Sequence, residues 1–327
     1  MRYLSLVYTL SSLLLSTLLS QILAAESHWL SNNGFNLTNS TIPAEKIFHG
    51  GPPRDGIPAI DQPQFVKAAQ AQAFLKPEDR VLGVTINGHS KAYPIKILNY
   101  HEIVNDTINR QPVTITYCPL CGTGMVFSAE VAGQALTFGV SGLLYNSDVL
   151  LYDRETESLW SQILSKAITG HYREQTLKRL PVSHTTWEEW QQRYPHSLVL
   201  STKTGYQRQY QRSPYGNYDS IRDVFFPVTA SSNRYHPKEL VLGIEINGQH
   251  KAFPFVELDK YLRQNKLTTL DTQLNQQPIT IRFNLTHRTA NAFAANGKEI
   301  PTVIAYWFAW YAFYPSTAVF QAEGQTN

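Results

Sequence analysis

Residues 81–94 read VLGVTINGHSKAYP, and residues 241–254 read VLGIEINGQHKAFP. A match this close does not arise by chance, and it restricts the chain to folds that hold one unit twice. In each copy an apolar run enters Asn-Gly and leaves through a partly apolar run. That predicts two-residue hairpins at Asn87-Gly88 and Asn247-Gly248, because both positions of such a turn require positive φ. Further on, 111–117 (QPVTITY) recurs as 277–283 (QPITIRF), a β-branched strand with a proline at its start. A third echo pairs Trp190 through Tyr194-Pro195 with Trp310 through Tyr314-Pro315. Short helices fit both segments, the first over Trp187 to Tyr194 with Thr185 or Thr186 as its cap and Pro195 stopping it.

Both cysteines of the chain lie in Tyr117-Cys118-Pro119-Leu120-Cys121-Gly122. At this spacing two thiols chelate a soft metal, cycle between dithiol and disulfide, or act as a static clip. Carried through the repeat, Cys118 corresponds to Asn284 and Cys121 to His287. The second copy keeps the strand without the sulfur, so folding of the unit does not require the pair and the first copy's loop becomes a candidate site. The first copy also carries an insertion from about Ala129 to Ser183, which reads as one or two hairpins lying over the cysteine loop.

The chain has 327 residues, 43% of them hydrophobic and 16% charged, as expected of a globular protein with a developed core. A formal net charge of +3 with no basic stripe argues against a nucleic-acid partner. Residues 1–25 read as a signal peptide: Arg2, an apolar stretch from Leu4 to Leu23, then Ala24-Ala25. The alternative is an uncleaved anchor, the one membrane contact the sequence suggests. Either way the expectation is an exported protein, in the periplasm or on the outer face of the cytoplasmic membrane, with no disulfide framework. The expected fold is β-rich α+β, two unequal copies of a hairpin-strand-helix unit forming one integrated domain. Its expected parts are an extended N-terminal arm (26–78), a first repeat with the cysteine loop and inserted hairpins (79–198), a linker (199–236), a second, shorter repeat (237–320) and a tail (321–327).

On the metal reading, the Cys-Pro-Leu-Cys-Gly turn resembles the knuckle of rubredoxins and zinc ribbons, which use two such knuckles where this chain has one. The remaining ligands must then be other residue types. His101 leads, in a segment (Tyr100 to Asp106) that, if helical, puts His101 and Asn105 on one face. His287 follows, because the repeat places it at the position equivalent to Cys121, and Met125 would suit Cu(I). Two thiolates with an imidazole fit zinc, copper or iron.

On the redox reading, Cys118 is the nucleophile and Cys121 resolves it, with strand 113–117 leading into the pair. Gly122 and Gly124 make a poor helix start there, and no partner proline loop is evident. A third reading is a noncatalytic interaction module with a structural disulfide. Elsewhere, Ser141 lacks a full nucleophile-elbow spacing. Asp148, Asp153, Arg154 and Glu155 read as charged turn residues, with an acid-base pair as the alternative. The tryptophans read as core.

Residues 50–58 (GGPPRDGIP), 99–106 (NYHEIVND), 117–123 (YCPLCGT), 138–146 (FGVSGLLYN) and 159–162 (LWSQ) resemble the successive motifs of a family of exported or membrane-tethered prokaryotic proteins known only as a domain of unknown function. The resemblance covers most of the chain beyond the leader. It implies a single integrated domain and points to the cysteine loop, His101 and the Trp160 region, without implying a reaction.

Overall fold

The computed structural model describes residues 32–322. The leader reading of residues 1–25 lies outside them. Among the described residues no helix is long and apolar enough to cross a membrane. The chain is β-rich, 39% strand and 12% helix, consistent with α+β.

Both Asn-Gly hairpins form. Arg80–Ile86 pairs with His89–Pro94 and Leu240–Ile246 with Gln249–Pro254, from Ile86↔His89 to Val81↔Pro94 and from Ile246↔Gln249 to Val241↔Pro254. The turn residues Asn87, Gly88, Asn247 and Gly248 all have positive φ. Each hairpin is extended in the same way. Ser183–Thr186 runs antiparallel to the first strand and Leu198–Leu200 parallel to the second; in the other half Val303–Tyr306 and Ala318–Val319 do the same. Helices Trp187–Arg193 and Trp307–Phe313 make the connections. The Thr186 hydroxyl caps the first helix by accepting from Glu189 N.

These helices explain the Trp echo. Trp190 lies against Gly83 and Trp310 against Gly243, so closely that a Cβ on either glycine would sit 2.1 or 2.2 Å from a ring atom. The two indoles donate to Ser197 Oγ (2.9 Å) and Thr317 Oγ1 (3.0 Å), which closes each helix onto the strand behind it.

Each hairpin is followed by a three-stranded meander: Ile103–Ile108, Gln111–Cys118 and Thr123–Ser128, then Thr269–Leu274, Gln277–Asn284 and Thr289–Ala294. Their registers agree residue for residue. Ile108↔Gln111 matches Leu274↔Gln277, and Cys118↔Thr123 matches Asn284↔Thr289.

The meanders are placed crosswise. The first joins the second hairpin's sheet through Gly124↔Ile304. The second meets the first hairpin's sheet, where Asn291 Nδ2 donates to Ser183 Oγ at 3.3 Å. The cysteine loop is therefore held by the opposite half of the molecule. Tyr306 N donates to Cys121 O (2.8 Å), and at the equivalent place Thr186 Oγ1 bonds His287 Nδ1 (2.7 Å). One buried cluster contains Cys118 and Cys121, Trp160 from the insertion, and Trp307 and Trp310 from the second half.

The helix expected over Tyr100 to Asp106 does not form. Glu102 has φ +56°, and Ile103 opens a strand that pairs as far as Ile108↔Gln111. β-Branched Ile103 and Val104 favour that pleated geometry. The insertion builds Phe138–Tyr145, Asp148–Asp153, Leu159–Ser161 and Lys166–Ala167 into one antiparallel sheet. Ile47–His49, from the stretch expected to be an arm, completes it by pairing with Phe138–Tyr145. The stretch expected to be a linker lays Tyr210, Tyr215 and Tyr218 against the two main cores.

Candidate metal centre

Cys118 ends one strand of the first meander, and Thr123, its register partner, opens the next. The four residues between make a tight loop in which Cys121 N donates to Cys118 O at 3.2 Å. Gly122 has φ +61°, and a Cβ there would sit 2.8 Å from the Tyr306 ring, so both the backbone and the space require glycine. Both cysteines are free thiols and buried.

The inserted sheet lies over this loop. Its hairpin turn, Asn146-Ser147, has positive φ at both residues, the geometry of a two-residue hairpin turn. Asn146 pins the turn by donating to Ala312 O (3.1 Å) and accepting from Thr229 N (2.8 Å). Ser147 O then receives the Cys121 thiol at 3.2 Å, with Cys118 Sγ at 3.9 Å. Asp148 follows, fully buried. Its Oδ2 accepts from Ile163 N at 3.1 Å, while Oδ1 has no hydrogen-bond partner. Cys118 Sγ, Cys121 Sγ and an Asp148 carboxylate oxygen all lie within 4.8 Å of one another, a group able to hold a metal ion.

Two other recognised motifs brace this arrangement. Gln162 Nε2 donates to Thr116 Oγ1 (2.8 Å) and Thr123 O (3.3 Å), fastening both strands of the cysteine hairpin to the inserted sheet. Asn105 donates to Phe138 O (2.8 Å) and accepts from Phe138 N (3.0 Å), joining the sheets on the other side.

Burial governs the electrostatics. It pushes the Asp148 carboxyl up to about 7, against the hydrogen bond from Ile163 N. It also raises both thiols, Cys121 the more strongly, and the nearby Asp148 charge adds to both. Glu102, beside the site, is pushed up to about 7 by burial, opposed by a hydrogen bond from Tyr215 OH. Without a cation the two carboxyls are held protonated below about pH 7; a bound cation reverses that preference.

His101 is not with the sulfurs. Its Nδ1 bonds Pro58 O (2.8 Å) and its Nε2 bonds Tyr210 OH (2.7 Å), so both ring nitrogens are engaged in a buried wall beside Tyr206 and Tyr210. Burial lowers its pKa, and the neutral ring suits one donating and one accepting nitrogen. His287, bonded to Thr186, stands on the rim of a cleft of about 620 Å³ that also touches Tyr117, Pro119 and Gly122. Met125 is buried in the same core cluster as the cysteines. The third group placed to ligate is Asp148, which the sequence presents only as a turn aspartate; its one signal is the Asn146-Ser147 pair before it.

A family model described as a protein of unknown function (DUF3179) matches residues 54–299, and the chain belongs to that family. No curated protein and no solved structure matches it.

Proposed function

We propose that this chain binds a soft transition metal (zinc, copper or iron) through Cys118, Cys121 and Asp148, and that it serves metal handling or redox chemistry in the cell envelope. The carrying observation is the cluster itself: a fully buried carboxylate whose Oδ1 has no well-formed hydrogen bond and whose side-chain neighbours within reach are two buried thiols. Three acids this close cannot all ionise without a cation among them, and thiols are weak donors to a buried carboxylate. Two sulfurs and one oxygen suit zinc and also accommodate copper or iron. The export half of the reading rests on the leader.

The two alternatives fit the geometry less well. A nucleophilic thiol needs access and a lowered pKa, and here both thiols are buried in a hairpin loop with raised values. A structural disulfide is not what the free thiols suggest. The registers shared by the two meanders support reading them as two copies of one unit. In the second, Asn284 bonds Glu189 Oε1 (3.0 Å) where the first has Cys118. The loop can thus close without sulfur.

The test is metal analysis of chain purified without an immobilised-metal column. Wild type is expected to carry or take up about one equivalent of zinc, copper or iron, Cys118→Ser almost none, and His101→Ala about as much as wild type. A wild type that takes up none of the three metals overturns the proposal. Affinity is also expected to rise with pH between 6 and 8, because Asp148 and the thiols must lose protons to bind; each proton released makes binding about tenfold tighter per pH unit. A flat pH profile in competition titrations counts against these ligands.

A further inference from the structure

A second cavity, of about 360 Å³, also reaches the cysteine loop. Leu120, between the two cysteines, and Val149, next to Asp148, form its inner wall. Leu144 and Phe226 line it as well, and Phe225, 55% exposed, stands at its mouth. No Lys, Arg or His lines it, and among its lining residues the one carboxyl is Glu102.

Glu102 is held there by its backbone. At φ +56° its N–H donates to Leu98 O (2.7 Å) and its carbonyl accepts from Tyr117 N (2.7 Å). A non-glycine residue kept at positive φ costs on the order of 1 kcal/mol, so the surrounding structure enforces this placement. Tyr215 OH donates to Oε1 at 3.1 Å, and no hydrogen bond among the described residues reaches Oε2. The side chain is more than nine-tenths buried. An apolar cavity of this size with one converging polar group is the ordinary form of a small-molecule site.

We propose that this cavity binds a small uncharged apolar molecule carrying a single hydrogen-bond acceptor, such as a ketone, and that Glu102 donates to that acceptor. Burial raises the Glu102 carboxyl to about 7, so at mildly acidic pH it carries the proton the contact needs. Tyr215 lines both this cavity and the cleft. The inference goes beyond metal binding; because a cation held at Asp148 would favour the ionised Glu102 carboxyl, it is tested on chain freed of metal.

The test is calorimetric titration of the purified full chain, freed of metal, at pH 6 with acetophenone, ethylbenzene and phenethylammonium, with metal content measured in every sample. Acetophenone is expected to bind saturably, one per chain, at least tenfold more tightly than the other two. Glu102→Ala should weaken it at least tenfold, and Phe225→Ala, on an exposed residue that leaves folding intact, a few fold. Cys118→Ser, depleted of metal, should still bind it. Three results overturn the proposal: no saturable binding, ethylbenzene binding as well as acetophenone, or a preference for phenethylammonium, which would mean that Glu102 acts as an anion.

Discussion

Asp148→Asn is expected to make the metal-free protein more stable and to abolish its metal binding. The Asp148 carboxyl is raised from an ordinary value near 3.8 to about 7 by burial, so the folded state holds the proton more tightly than the unfolded state does. The stability this gives is complete at pH values below the unfolded pKa. It is lost as pH rises through the folded value, and above about pH 7 the ionised, buried group opposes folding. Glu102 is raised by the same cause and has the same sign. Metal-free wild type should therefore weaken between about pH 4 and 7. The Asn variant, which cannot ionise, should escape its share, on the order of 2–4 kcal/mol at pH 8 and almost nothing at pH 4. With metal bound the order reverses, since the cation is held by the native site alone and stabilises only the protein that has the carboxylate. Urea unfolding at pH 4 and pH 8, with chelator and with metal, reads both effects. An Asn variant no more stable than chelated wild type at pH 8, or one that keeps its metal, would remove Asp148 from the site.

The second large effect concerns the scaffold. Gly83→Ala and Gly243→Ala should each lower the melting temperature by roughly 5–10 °C, because the new methyl would lie 2.1–2.2 Å from an indole ring that has no room to move. Trp190 and Trp310 sit in different core clusters, so the two losses should add in the double variant. Replacing the facing indole with phenylalanine should recover part of each loss. Unequal effects, with one glycine tolerant, would mean that the two halves do not share this packing.

These glycines show which parts of the fold the sequence reveals. Asn-Gly turns, β-branched strands and a Trp-to-Tyr-Pro helix are local signals, and each half spells them separately, so the two hairpins, the middle strand of each meander and the two Trp helices are legible, while the first meander's opening strand, Ile103–Ile108, is not. The crosswise placement of the meanders is not, because it depends on which edge each strand finds. The site divides along the same line. Cys118 and Cys121 announce themselves by spacing. Asp148 is spelled like any solvated turn aspartate, and only the docking of the inserted sheet onto the cysteine loop buries it. His101 misleads for a related reason: a helix over Tyr100 to Asp106 would have set it on one face with Asn105, but the positive φ at Glu102 starts a strand instead, leaves His101 bonded to Pro58 and Tyr210, and sets Glu102 in the cavity.

The account rests on two sulfurs and a carboxylate sharing one ion, and X-ray absorption at the edge of whichever metal the purified chain retains tests that most directly. Two sulfur scatterers at about 2.3 Å with the remaining donors oxygen are expected, and in Asp148→Asn the oxygen shell or the metal itself should be lost. A spectrum with nitrogen and oxygen donors and no sulfur, or one that Asp148→Asn leaves unchanged, would contradict it.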